Sequence, residues 1–343
     1  MVFVYQNEKS VRSFLVAAAA SFIAVIAFIS ESHAETLSPD AIWYAAYERD
    51  SHRVALPDGR MLNLYCMGSG SPTVVLEAGI GGGAYDWRSV QEAMSKQTRV
   101  CAYDRAGYGK SSPGPLPRDV KAETADLEAL LKAAQVAGPY VLVGHSMGGY
   151  IVRMFANRHL SDVAGMVLVE SSVENQLAPI ENAAPAIAEN DKRSEKYARY
   201  CGTPNPTVDI ISDCNRAAPK DFPPELAAAW AEEHGTASMQ AFSSEVLSFL
   251  SFDSDQAAAE RRDFGAMPLI VLTRGNRSEG IPPDQAEAEW QIWSRLHGDL
   301  AKLSTASVHR VVPGAGHYIQ IDRPDAVIDA VREVVTRAQN AAH

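Results

Sequence analysis

Short runs of β-branched and other apolar residues alternate with longer amphipathic stretches along most of this chain. The runs are MLNLYCM from Met61, TVVLEAG from Thr73, RVCAYD from Arg99, YVLVGHS from Tyr140, GMVLVES from Gly165, LIVLTRG from Leu269 and HRVVPG from His309. Helical patterns separate them, such as KAETADLEALLKAAQ from Lys121 and MGGYIVRMFANRHL from Met147, and a helix is expected over residues 38–49. Strands that are apolar on both faces need cover on both faces. The alternation therefore constrains the fold to α/β, a mostly parallel sheet with helices on either side. With 343 residues, 46% hydrophobic and 21% charged, the chain can bury one sizeable core and does not have the composition of a disordered segment.

One stretch breaks the rhythm. Residues 172–262 contain no clear strand and are rich in Ala, Glu and Pro, as in ENAAPAIAEN and ELAAAWAEEHGTASMQAF. They are expected to form short helices inserted between two strands, dividing a core of residues 35–171 and 263–343. A long excursion of this kind is usually functional, for instance a lid over a site.

The first residues have another character. Lys9 and Arg12 precede an apolar run over residues 14–29, followed by Ser32-His33-Ala34 and then Glu35. The run is short of the roughly 20 residues that a spanning helix needs. A charged start, a short apolar middle and a small–x–small ending are the marks of a signal peptide, residues 1–34, cut after Ala34. The competing expectation is an uncleaved anchor. Export to the periplasm or beyond permits disulfides. Cys201 and Cys214 bracket the loop CGTPNPTVDIISDC and are expected to close it, and none of the four cysteines has C-x-x-C spacing. The formal net charge of −11 survives cleavage, because Glu8 and Glu31 balance Lys9 and Arg12. Such a chain has no basic footprint for nucleic acid, and no stable membrane span is expected after cleavage.

The motif with the most chemistry is Gly144-His145-Ser146-Met147-Gly148, placed between a buried strand and a helix. A serine on so sharp a turn needs flanks with almost no side chain, which Gly144 and Gly148 provide. The start of the helix adds N–H groups and positive potential where an oxyanion would form. Ser146 is thus the expected nucleophile, and the adjacent His145 a structural neighbour.

This elbow, with EAGIGGGAYDW from Glu77, YDRAGYGKSS from Tyr103 and GAGHYIQIDRP from Gly314, resembles the α/β-hydrolase superfamily, in its serine-nucleophile, esterase- and lipase-like branch. The resemblance runs from about Val54 to the C-terminus apart from the insertion. It implies an eight-stranded, mostly parallel sheet with a lid after the sixth strand. It also makes the second and fourth strands neighbours, which would bring Cys66 close to Cys101. The superfamily places its general base on the loop that here carries His317, which small residues Gly314, Ala315 and Gly316 let approach the elbow. Asp104-Arg105-Ala106-Gly107-Tyr108-Gly109 resembles the loop after the fourth strand and reads as turn architecture without a catalytic role.

Two departures from the family pattern follow. The usual triad acid after the seventh strand falls on Ser278. Glu170, at the end of the sixth strand, is the favoured replacement, with Glu279 and Asp284 as alternatives, and the acid is expected about 2.6–3.2 Å from the imidazole. The oxyanion loop, commonly His-Gly-x, reads Ala78-Gly79-Ile80, so its N–H donors are expected from Ile80 and Met147.

Serine at the elbow argues against the dehalogenase and epoxide-hydrolase branches, which carry Asp there. The expected activity is hydrolysis of a carboxylic ester, lactone or thioester in a small molecule, through an acyl-serine and without a cofactor or metal. Aminopeptidase, C–C hydrolase and cofactor-free peroxidase chemistry are alternatives on the same scaffold. A catalytically inactive binding protein is a further one.

Overall fold

The computed structural model describes residues 37–215 and 217–341. The expected signal peptide, residues 1–34, lies outside the described residues. The strands are β1 (His52–Ala55), β2 (Met61–Met67), β3 (Thr73–Glu77), β4 (Val100–Tyr103), β5 (Tyr140–His145), β6 (Val163–Val169), β7 (Leu269–Arg274) and β8 (Ser307–Val312). They form one sheet in the order β1-β2-β4-β3-β5-β6-β7-β8. β1–β2 and β2–β4 pair antiparallel, and every pair from β4–β3 to β7–β8 is parallel.

Seven of these strands sit on the seven apolar runs. β1 has no such run: in HRVA only Val54 is buried, because an edge strand with one face in water needs little apolar surface. The central strands β3, β5 and β7 are buried throughout. Their side chains alternate between two cores. Leu142, Leu168 and Val271 pack with Leu127, Leu130 and Ile151 on one face, whereas Val143, Val167 and Ile270 pack with Trp87, Val331 and Val334 on the other. Burying both faces is what an all-apolar parallel strand requires.

Between β6 and β7 the described residues hold six helices and no strand, from Leu177–Ala183 to Asp253–Ala259. The helix Thr236–Phe249 is the one most deeply seated: Val246 and Phe249 join the core beside Tyr150. Both disulfides are formed. Cys66 and Cys101 face each other in the register of antiparallel β2 and β4, and Cys201–Cys214 closes its loop within the insertion. No helix among the described residues is long and apolar enough to cross a membrane.

Candidate active site

Ser146 follows β5 directly and precedes the helix Gly148–Arg158. Its φ of +54° lies in the left-handed region, which a non-glycine residue occupies at a cost and keeps only where its surroundings force it. The flanking glycines are demanded by space. A Cβ on Gly144 would lie 2.7 Å from the Gly148 carbonyl oxygen, and one on Gly148 would lie 2.7 Å from the Glu77 carbonyl oxygen. The Ser146 Oγ is buried and makes no hydrogen bond.

The loop after β3 lies against this elbow, since a Cβ on Gly79 would come within 3.0 Å of the Ser146 Cβ. Ile80, the next residue, and Met147 are both buried. Among the described residues neither the Ile80 nor the Met147 N–H donates a hydrogen bond to the protein. Two free, buried N–H groups beside a serine are the elements of an anion-stabilising site.

His317 sits after β8, its side chain 24% exposed. Two hydrogen bonds from backbone N–H groups tie its loop: Asn276 N–H to the Ala315 carbonyl at 3.0 Å and Gly316 N–H to the Asp322 side chain at Oδ2, 2.8 Å. His145 supplies a third, with Nε2 at 2.9 Å from the His317 carbonyl oxygen. A carbonyl can only accept, so His145 carries its proton on Nε2. Burial, reinforced by the neighbouring His317, pushes the His145 imidazole down to about 3, so it stays neutral. Its side chain braces the loop that carries His317.

The carboxylate within 4 Å of the His317 ring is Glu170, fully buried at the end of β6, with Oε1 3.9 Å from Nδ1. That is longer than the direct hydrogen bond expected, and the reason is competition. Glu170 Oε1 accepts from Arg274 Nη1 and, at 2.7 Å, from Trp293 Nε1, and Oε2 accepts from the Arg274 backbone N–H at 2.8 Å. Burial raises the Glu170 carboxyl, but the Arg274 guanidinium and the His297 and His317 imidazoles outweigh it and hold the group well below the usual carboxylate range. Glu170 also has a left-handed φ of +47°, a second strained residue at the same edge of the sheet. Glu279 is exposed and lines the cavity beside His317, and Asp284 is exposed in the first turn of the helix Pro283–Ala301; neither lies within 4 Å of the His317 ring nitrogens as Glu170 does.

Arg274, Glu289 and Trp293 were not apparent from sequence patterns. The Arg274 Nη2 atom donates to both oxygens of Glu289 at 2.6 Å and to Ser278 Oγ at 3.1 Å, and Ser278 Oγ donates to Glu289 at 3.0 Å. The position where the family pattern expects an acid thus holds a serine that completes an Arg–Glu pair. An arginine ending the apolar strand LIVLTR was the available signal, since such a residue is buried only with partners. A cavity of about 800 Å³ opens beside His317, with Arg274, Ser278, Glu289 and Trp293 in its wall. Among the described residues no cluster of His, Cys, Asp and Glu has the arrangement of a metal site.

Comparison with known proteins agrees with this fold. An uncharacterized protein of Bacillus subtilis, YqjL, is 28% identical over 267 residues, which is 78% of this chain and 85% of that protein. Two solved structures share the fold. A thermophilic esterase from Thermogutta terrifontis superposes with a TM-score of 0.56 at 22% identity, covering 84% of this chain and 98% of that one. The enol-lactonase from Burkholderia xenovorans does so with a TM-score of 0.53 at 18% identity, covering 83% of this chain and 100% of that one. Residues 74–330 match the alpha/beta hydrolase family, and the chain belongs to it.

Proposed function

We propose that the chain is an exported serine hydrolase that cleaves a carboxylic ester, or a related acyl bond such as a lactone or thioester, in a small molecule. The observation that carries this reading is Ser146, held in a left-handed turn at a helix start beside the free N–H groups of Ile80 and Met147. In the first step Ser146 Oγ attacks the carbonyl carbon while His317 takes its proton. The carbonyl oxygen becomes anionic and is held by the two N–H groups. Collapse of the intermediate expels the alkoxide, which takes the proton from His317 and leaves an acyl-serine. Water, deprotonated by His317, repeats the sequence and releases the acid. Glu170 orients the imidazole and stabilises its charged form.

Ser146 is only 1% exposed, so a substrate has to gain access by movement of what covers it. Residues 172–262 are assigned that role, as a lid. Export is supported by the leader pattern at residues 14–34 and by two disulfides, which persist in oxidising compartments.

Ser146→Ala tests the reading. With p-nitrophenyl acetate the variant is expected to lose roughly four or more orders of magnitude in turnover and all labelling by a fluorophosphonate, while circular dichroism is unchanged. Esterase activity near the wild-type level in that variant would refute the mechanism.

A further inference from the structure

Arg105, just beyond β4, is 1% exposed and uses its whole fork. Nη1 donates to the Ala78 carbonyl and to Glu77 Oε1, each at 2.8 Å, and Nη2 donates to the Gly79 carbonyl at 2.6 Å. Its remaining hydrogen bonds go to Glu245 on the helix Thr236–Phe249: Nε to Oε1 at 2.9 Å and Nη2 to Oε2 at 3.2 Å. Glu245, fully buried, accepts in turn from the Gly81 N–H at 3.0 Å and the Tyr108 hydroxyl at 2.8 Å. The loop carrying Ile80 is therefore gripped on both sides, by its carbonyls at 78 and 79 and by its N–H at 81.

The grip has a directional consequence. The Gly79–Ile80 peptide is trans, since the cis bonds among the described residues all precede proline. In a planar trans peptide the N–H points opposite to the C=O. The Gly79 oxygen accepts from Arg105 and, at 3.1 Å, from the Gly82 N–H of its own turn, and this orientation, which Arg105 holds from outside the loop, turns the Ile80 N–H the other way. Gly79 itself packs against the Ser146 Cβ. A carbonyl bonded to a guanidinium also polarises its own amide, which makes the N–H a stronger donor.

Resting on the serine-hydrolase reading above, we propose that Arg105 and Glu245 are positioning residues for the oxyanion hole. They aim the Ile80 N–H at the oxygen that becomes anionic. Because Glu245 belongs to the inserted helices, seating of that helix completes the hole, and its withdrawal takes the Glu245 acceptor from the Gly81 N–H and loosens the donor. Acylation is thereby coupled to closure of the insertion over the substrate. A plain structural clamp would use the same contacts but would leave the chemical step alone once the protein is folded.

The test uses Arg105→Lys, which keeps the charge opposite Glu77 and Glu245 but cannot span both carbonyls, and Glu245→Gln, which keeps the shape and weakens the grip. Removing the cation altogether would strand two buried carboxylates and risk unfolding. Rates are measured on the folded fraction from gel filtration. In both variants kcat for p-nitrophenyl acetate is expected to fall about 10- to 100-fold, up to the lower end of losing one oxyanion donor outright. KM should stay within about threefold, since the ground-state carbonyl gains little from that donor. Fluorophosphonate labelling of Ser146 should slow by a factor similar to the fall in kcat. Unchanged kcat and labelling in the folded variants, with only KM or thermal stability altered, would overturn the coupling and leave the nucleophile assignment standing. Absence of labelling in the folded wild-type protein would overturn the nucleophile assignment, and this inference with it.

Discussion

Oε1 of Glu170 lies 3.9 Å from Nδ1 of His317 while already accepting hydrogen bonds from Arg274 and Trp293. The proposed base thus faces a carboxylate that is ionised and held by other partners. When His317 takes a proton its attraction for that carboxylate grows, and a closure of about 1 Å brings the pair into hydrogen-bonding range. Held in this way, Glu170 can stabilise an imidazolium without giving up its own charge.

Glu170→Gln removes that charge and offers a donor where Trp293 and Arg274 already donate. Turnover is expected to fall by about 10³–10⁴, the order seen when a triad acid is neutralised. Glu279→Gln, on the exposed part of the loop, should change it by less than about tenfold. Steady-state kinetics on the two variants check the assignment, and the reverse ranking moves the acid to the β7 loop.

Arg274 balances two buried carboxylates, Glu170 and Glu289. Arg274→Met leaves both without their cation and is expected to cost about 3–5 kcal/mol, readable as a lower urea midpoint. Glu170 would also hold its proton to higher pH. Its charged form supports catalysis, so the acid limb of the kcat/KM profile should move to higher pH. A profile superimposable on the wild type would contradict this role.

Glu233 ends the helix Pro224–Glu233 and accepts from the Tyr44 hydroxyl at 2.8 Å. Burial, and then the Asp104 and Glu48 carboxylates, push it up to about 9. An unfolded glutamate loses its proton near pH 4.3. Between these values the folded chain binds the extra proton, so the contribution of Glu233 to stability is present at low pH and is lost as pH rises towards 9. Glu233→Gln removes that loss. Its melting temperature relative to wild type should be least favourable near pH 4 and rise steadily to pH 9, which a series of thermal melts will show.

If the leader is cut after Ala34, mass analysis of the exported protein should place its N-terminus at Glu35. Thiol titration of denatured, unreduced protein should give no free cysteine, since both pairs are bonded. Four titratable thiols would contradict both pairs and the compartment.

What the sequence determined by itself was everything that depends on neighbours along the chain. Seven strands were legible because each is a continuous apolar run, and the elbow was legible because Gly144, Ser146 and Gly148 meet the demands of one turn. The helical character of residues 172–262 was visible for the same reason, whereas His317 was singled out by the resemblance of its loop to the superfamily's. The rest depended on which segments the sheet sets side by side. Strand β1 was not legible because an edge strand with a single buried residue carries no pattern. Glu170 could be named as a candidate from its place at a strand end, but its partners could not. Arg274 and Trp293 lie 104 and 123 residues away and reach it only because β6 and β7 are adjacent and the following helix folds back over them. Arg105 read as part of a turn for the same reason: its two anchors, Glu77 and Glu245, come from the neighbouring strand β3 and from a distant helix. Buried charges choose partners by proximity in space, and only the folded sheet creates that proximity.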